Sequence, residues 1–130
     1  MILLDTHVAV WLLGSPGRLS IRARNAIVHA RATGEELGYS PASLYEIAYL
    51  ARKGRLILNA GIRDFIAEME ARLHLIPITS SIAICAAELE EPFHGDPMDR
   101  MIAATAIVEG CVLLTADEQI RRAGVCKTLW

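Results

Sequence analysis

Ile2-Leu3-Leu4-Asp5-Thr6-His7-Val8-Ala9-Val10-Trp11-Leu12-Leu13 opens with an unbroken aliphatic run, meets one acid, and continues with helical rather than alternating character. A strand with one wet face alternates apolar and polar residues. An uninterrupted apolar run belongs to a strand covered on both faces, as in parallel sheets. The stretch therefore reads as strand, acid, helix.

The same grammar continues outward. Gly14-Ser15-Pro16-Gly17 breaks the first helix, and Ser20 caps a second to about residue 32, with Ile21, Ile27 and Val28 as apolar positions. Residues 36–39 form a short strand. Ser40-Pro41 has the form of an N-cap followed by proline at the first helical position, opening a helix to about residue 53 that Gly54 stops. Residues 61–73 place Ile62, Phe65, Ile66, Met69 and Leu73 at core spacing for a fourth helix. A third strand is expected over 75–78, and Ser80 or Ser81 caps a helix to about residue 90. Asp96-Pro97 opens a helix ending at Gly110. A fourth strand at 111–114, a short helix at 118–123 and a last strand at 125–129 complete the chain.

Apolar strands separated by helices predict an α/β fold, a three-layer α/β/α arrangement around a parallel sheet of about five strands. With 130 residues, 53% of them hydrophobic, and no repeat or long linker, residues 1–130 are expected to form one domain. The longest uncharged apolar stretch, 8–14, is too short for a bilayer, and Asp5 stands where a signal peptide would carry basic residues, so no membrane association and a cytoplasmic location are expected. Cys85, Cys111 and Cys126 have no C-x-x-C spacing and sit among apolar neighbours, as reduced core residues do. Net charge is −2, which excludes a general attraction to nucleic acid, although Arg18, Arg22, Arg24 and Arg31 fall in a stretch free of acids.

The acids carry the chemistry. The chain has aspartates only at 5, 64, 96, 99 and 117. Asp5 ends the first strand and Asp117 follows the fourth, and open α/β sheets build their sites in the crevice at such carboxyl ends. Glu46 is the one charged side chain in Pro41-Ala42-Ser43-Leu44-Tyr45-Glu46-Ile47-Ala48-Tyr49-Leu50-Ala51, where an ionised carboxylate needs a partner. A capping box of Ser43 with Glu46 competes with that reading, but Pro41 makes Ser40 the better cap. Asp96 suits an N-cap. Asp99 lies one turn inside, beside the small residues Ala103-Ala104-Thr105-Ala106 that allow close packing on the sheet.

Carboxylates about 5 Å apart repel by roughly 3 kcal/mol per pair at an effective dielectric near 20. A cation resolves the conflict, and an all-oxygen set favours Mg²⁺ or Mn²⁺ over Zn²⁺. His7, His94 and Arg100 neighbour these acids and are candidate contacts to a substrate or partner; structural hydrogen bonding is the commoner role for the two histidines, and Arg100 suits a carboxylate or a phosphate alike. Trp11 reads as core rather than as a platform for bases.

The segments Leu3-Leu4-Asp5-Thr6-His7 with Trp11, Ser40-Pro41-Ala42-Ser43-Leu44-Tyr45-Glu46-Ile47-Ala48, His94-Gly95-Asp96-Pro97-Met98-Asp99-Arg100 with Ile102-Ala103-Ala104-Thr105-Ala106, and Leu114-Thr115-Ala116-Asp117 resemble, in order and spacing, the PIN-domain family and its VapC toxins. That resemblance implies a five-stranded parallel sheet and a metal-dependent endoribonuclease leaving 5′-phosphate and 3′-hydroxyl ends. It implies metal-binding and catalytic roles for Asp5, Glu46, Asp99 and Asp117, with Asp96, Thr115 and Thr6 in support. It also implies a homodimer, an RNA substrate, and a cognate VapB-like antitoxin whose C-terminal segment blocks the acidic pocket.

Rival readings are a PIN-like nuclease in RNA processing or structure-specific DNA cleavage, and a receiver-like signalling domain. The first kind usually carries more acids and added DNA-binding elements. The second wants a lysine after the last strand, and neither Lys53 nor Lys127 is placed for it.

Overall fold

A computed structural model describes residues 1–90, 93 and 95–130. At its centre is β1 (Ile2–Leu4), paired in parallel with β2 (Leu37–Tyr39) on one side and β4 (Val112–Leu114) on the other. The edges are β3 (His74–Leu75) and β5 (Thr128–Leu129), giving a parallel sheet in the order β3-β2-β1-β4-β5.

Alternation along the strands explains why they are apolar throughout. Ile2, Leu4 and Leu114 pack on one face with Val8 and Leu12 of α1 (Thr6–Gly14), Ile27 of α2 (Ile21–Thr33), Ile47 of α3 (Pro41–Arg52) and Met69 of α4 (Ile62–Arg72). Leu3 and Leu113 pack on the other with Ile102, Ala103 and Ala106 of α6 (Pro97–Val108) and Ile120 of α7 (Glu118–Ala123). Side chains of period two thus enter two separate cores, the three-layer arrangement that continuous apolar strands require. Leu3, Leu4, Leu113 and Leu114 have no exposed surface; truncating any of them to alanine should cost about 2–5 kcal/mol. A further layer, α5 (Ser80–Glu88), lies on α6 through Ile82, Ala86 and Ala104.

Several boundaries depart from the sequence expectation. β3 is His74–Leu75 rather than 75–78, because Pro77 has no amide to continue the ladder after the Ile76 N–H donates to the Tyr39 carbonyl at 2.9 Å. Gly38 sits opposite that edge, where a Cβ would lie 2.6 Å from Ile76 Cδ1, so no larger residue fits without displacing Ile76. β5 shortens to Thr128–Leu129, and Thr79, not Ser80 or Ser81, caps α5 by accepting from the Ile82 amide. α6 ends at Val108, and the expected break at 14–17 runs into a 3-10 turn, Pro16–Arg18. Among the cysteines only Cys111 is buried; Cys85 and Cys126 are half-buried, and all three are free thiols. Burial pushes the Cys126 thiol up to about 11, which keeps it protonated and unreactive. No helix among the described residues is long and apolar enough to cross a membrane.

Candidate functional site

The order of the sheet creates the crevice. From β1 the chain moves outward to β2 and β3, then returns to the far side of β1 for β4 and β5. The carboxyl ends of β1 and β4, in register at Leu4 and Leu114, therefore flank a topological switch point.

Asp5 leaves β1 there and caps α1. One carboxylate oxygen accepts from the Thr6 amide at 2.7 Å; the other accepts from the Thr115 hydroxyl at 2.6 Å. Thr115 follows β4 and is wholly buried, and its hydroxyl oxygen also accepts the Asp117 amide at 3.0 Å. One hydroxyl thus fixes the acids of both strand ends. Burial raises the Asp5 pKa above the ordinary carboxylate range, and the Asp117 charge adds to this, while the Thr115 and Thr6 hydrogen bonds pull it down.

Three further acids arrive on helices. Ser40 caps α3 through the Ala42 amide, so Glu46 has no capping role and stands half-buried one turn in. The Thr6 hydroxyl lies 3.0 Å from the Ser43 hydroxyl and also hydrogen-bonds Glu46. Asp96 caps α6 through the Met98 and Asp99 amides, at 2.9 and 3.2 Å, as Asp117 caps α7 through Gln119 and Ile120. Carboxylates at helix starts gain from the partial positive charge of the free amides.

Glu46, Asp96 and Asp99 each offer a carboxylate oxygen, and these oxygens lie within 4.8 Å of one another. Asp99 feels the charges of all four other acids. Burial pushes its pKa up to about 8, and the charges of Asp5, Asp96, Glu46 and Asp117 push in the same direction. Burial raises Glu46 as well, with Asp5 and Asp96 adding to it. The arrangement is a hard-oxygen nest that repels itself without a cation.

Not every neighbour of these acids joins them. Arg100 reaches the neighbouring helix: its Nε donates to the Ala86 carbonyl at 2.9 Å, and its Nη2 donates to the Ala87 and Leu89 carbonyls, with the guanidinium over Phe93. It satisfies the end of α5, where carbonyls lack helical partners. His7 is exposed at the start of α1, close enough for its charge to act on Asp5 and Glu46. His94 lies outside the described residues. Asp96 sits among the acids beside Glu46 and Asp99, as the Asp-Pro-x-Asp spacing, which puts two carboxylates on one helical turn, signals. Ser43 escaped notice as part of the site, although it lies three residues before Glu46 on the same helical face.

The model for the PIN domain matches residues 2–125. Ribonuclease VapC22 of Mycobacterium tuberculosis (strain ATCC 25618 / H37Rv) is 39% identical over 120 residues, covering 92% of this chain and 89% of the relative. Among solved structures, VapBC2 from Rickettsia felis bound to a promoter DNA fragment superposes with a TM-score of 0.75 at 19% identity, covering 99% of this chain and 98% of the other. DNA-bound VapBC from Salmonella typhimurium gives 0.70 at 19% identity, with 98% and 96% covered. At those identities the structures speak for the fold; the matched model and the ribonuclease relative, both spanning nearly all of the chain, show that it belongs to the PIN domain family.

Proposed function

We propose that this chain is an endoribonuclease acting as the toxin of a VapBC-type pair, with a divalent cation, Mg²⁺ or Mn²⁺, held among its carboxylates. The observation that carries the reading is the cluster of Glu46, Asp96 and Asp99, with the charges of Asp5 and Asp117 also acting on Asp99, in a chain 39% identical to a protein named a ribonuclease. An all-oxygen set suits a hard divalent ion, and the like charge that adds to burial in pushing Asp99 up to about 8 is the electrostatic demand such an ion meets.

Asp5, Glu46, Asp99 and Asp117 are the proposed ligands and catalytic acids, with Asp96 beside them as cap and additional carboxylate. A bound cation supplies a lowered pKa for a coordinated water and charge neutralisation at the phosphodiester. The chain's own residues do the rest. Thr115 and the Thr6 amide hold Asp5 by one oxygen each, Thr6 and Ser43 orient Glu46, and the helix starts at Asp5, Asp96 and Asp117 hold those carboxylates in position. Fixed ligands mean little rearrangement as charge builds on the phosphate.

The pair's other member is proposed to be a VapB-like antitoxin, because the solved relatives include VapBC assemblies. An arginine from it suits the nest, since its planar fork can bridge two carboxylates. A homodimer is part of the same reading, as is one domain over residues 1–130. Sequencing of RNA ends after brief induction tests the activity and identifies its target: new 5′-phosphate ends in the wild type, missing with Asp99→Asn, are expected. Identical end profiles for the two proteins would overturn the proposal.

A further inference from the structure

Beside the acid nest runs a row of rings. His7 and Trp11 lie one turn apart on α1, with ring centroids 6.0 Å apart, and Trp11 meets Trp130 at 5.6 Å. The Arg18 guanidinium lies 4.7 Å from the centre of the Trp11 ring, so that indole already presents a face on which a flat cation stacks. Trp130 borders a groove of about 390 Å³ whose other walls include Arg22, Arg121 and Arg122. Glu118 also lines it, but pairs with Arg122 at 2.9 Å. Arg18, Arg22 and Arg121 are exposed and form no ion pair with a described residue.

The row reaches the site at two points. His7 follows Asp5-Thr6 and its charge acts on Asp5 and Glu46, while Arg121 stands one turn after Asp117 on α7. A strip combining aromatic rings with unpaired guanidinium groups, on a chain of net charge −2, is a local exception that matches a polyanion bearing flat bases. Bases in a duplex have their faces occupied by neighbours; only unpaired bases can lie against Trp11 or Trp130.

We propose that the strip His7–Trp11–Trp130, with Arg18, Arg22 and Arg121, is the track for an unpaired RNA segment flanking the scissile phosphate. The track rests on the nuclease reading and deepens it: substrates are single-stranded at the cut, and the strip reads backbone and stacking rather than base edges. Trp11, which the sequence assigns to the core, is half-buried against that core and also meets Arg18 and Trp130 in the strip.

The chain's two tryptophans both lie in the strip, so its indole fluorescence reports on that surface alone. Titration of the full chain in EDTA with an unstructured 12-nucleotide RNA should quench that fluorescence. The same sequence as a duplex should bind at least tenfold more weakly. Arg18→Ala with Arg22→Ala should weaken single-strand binding at least tenfold and lower the slope of log K against log salt by about 1.4, at roughly 0.7 per lost phosphate contact. In cleavage assays this pair should raise KM and keep kcat, whereas Arg31→Ala, at the far end of α2, should change neither. Arg121→Ala gives an independent variant should the pair fold poorly.

Quenching and salt-dependent binding in a protein that cleaves no RNA would support the track and overturn the nuclease function. Cleavage with unchanged KM in folded variants, equal affinity for duplex, or a strip that binds a protein partner but leaves indole emission unmoved by RNA would each overturn the track.

Discussion

The Thr115 hydroxyl donates to Asp5 at 2.6 Å and accepts the Asp117 amide at 3.0 Å, tying together residues 112 positions apart in the chain. Thr115 is therefore a positioning residue for two candidate ligands. Thr115→Val keeps the shape and removes both bonds, so it should cut cleavage 10–100-fold, the usual loss when the support of a metal ligand is removed. Thr115→Ser should restore most of the activity. A valine variant as active as the wild type would show that Asp5 needs no such support.

Asp99 sets the pH dependence. Its carboxyl titrates near 8 in the folded, ion-free protein against an ordinary value of 3.8, so the folded state keeps a proton that the unfolded chain has released. Stability in EDTA should accordingly fall as pH rises from about 4 to about 8, and affinity for Mn²⁺ should rise over the upper part of the same interval as the proton leaves. Asp99→Asn should flatten the stability profile and raise the melting temperature at pH 8 by a few degrees, the scale of about 1 kcal/mol in a chain of this size. Thermal melts across pH decide it.

Asp96 has two roles that two substitutions separate. Asp96→Asn keeps the cap on the Met98 and Asp99 amides and removes only charge. Asp96→Ala removes both and should cost a further ~1 kcal/mol. Reduced cleavage in both variants, with lower stability only in the alanine variant, is expected. Wild-type cleavage by the asparagine variant would make Asp96 a cap alone.

Arg100 belongs to the fold. Arg100→Ala leaves the carbonyls at the end of α5 without their donor and should destabilise by about 1–3 kcal/mol. Its kcat at a temperature where it is folded should match the wild type. A selective loss of kcat in a stable variant would return Arg100 to the substrate.

What the sequence could show depended on how local the cause was. Asp5 at a strand end, Ser40-Pro41 at a helix start and the apolar run at 112–114 carry their structure in neighbouring residues, and the parallel sheet of five strands followed from them. β3 and β5 were placed too broadly because their extent depends on pairing with β2 and β4, distant in the chain. The meeting of Asp5 with Asp117 required β1 and β4 to be neighbours, which no local pattern specifies; the family resemblance implied that meeting before the topology did. The carbonyl partners of Arg100 were hidden for the same reason. Its sequence neighbour is Asp99, but its partners are carbonyls 11 to 14 residues back on another helix.

The most direct measurement of the central claim is cleavage of an unpaired RNA by the purified full chain, titrated with Mn²⁺ or Mg²⁺ after exhaustive EDTA treatment, alongside Asp99→Asn at equal concentration. The account predicts no cleavage in EDTA, recovery on adding either ion, unchanged circular dichroism throughout, and at least a hundredfold loss in the asparagine variant. Full activity in excess EDTA, or an Asp99→Asn protein that cleaves like the wild type, would contradict it.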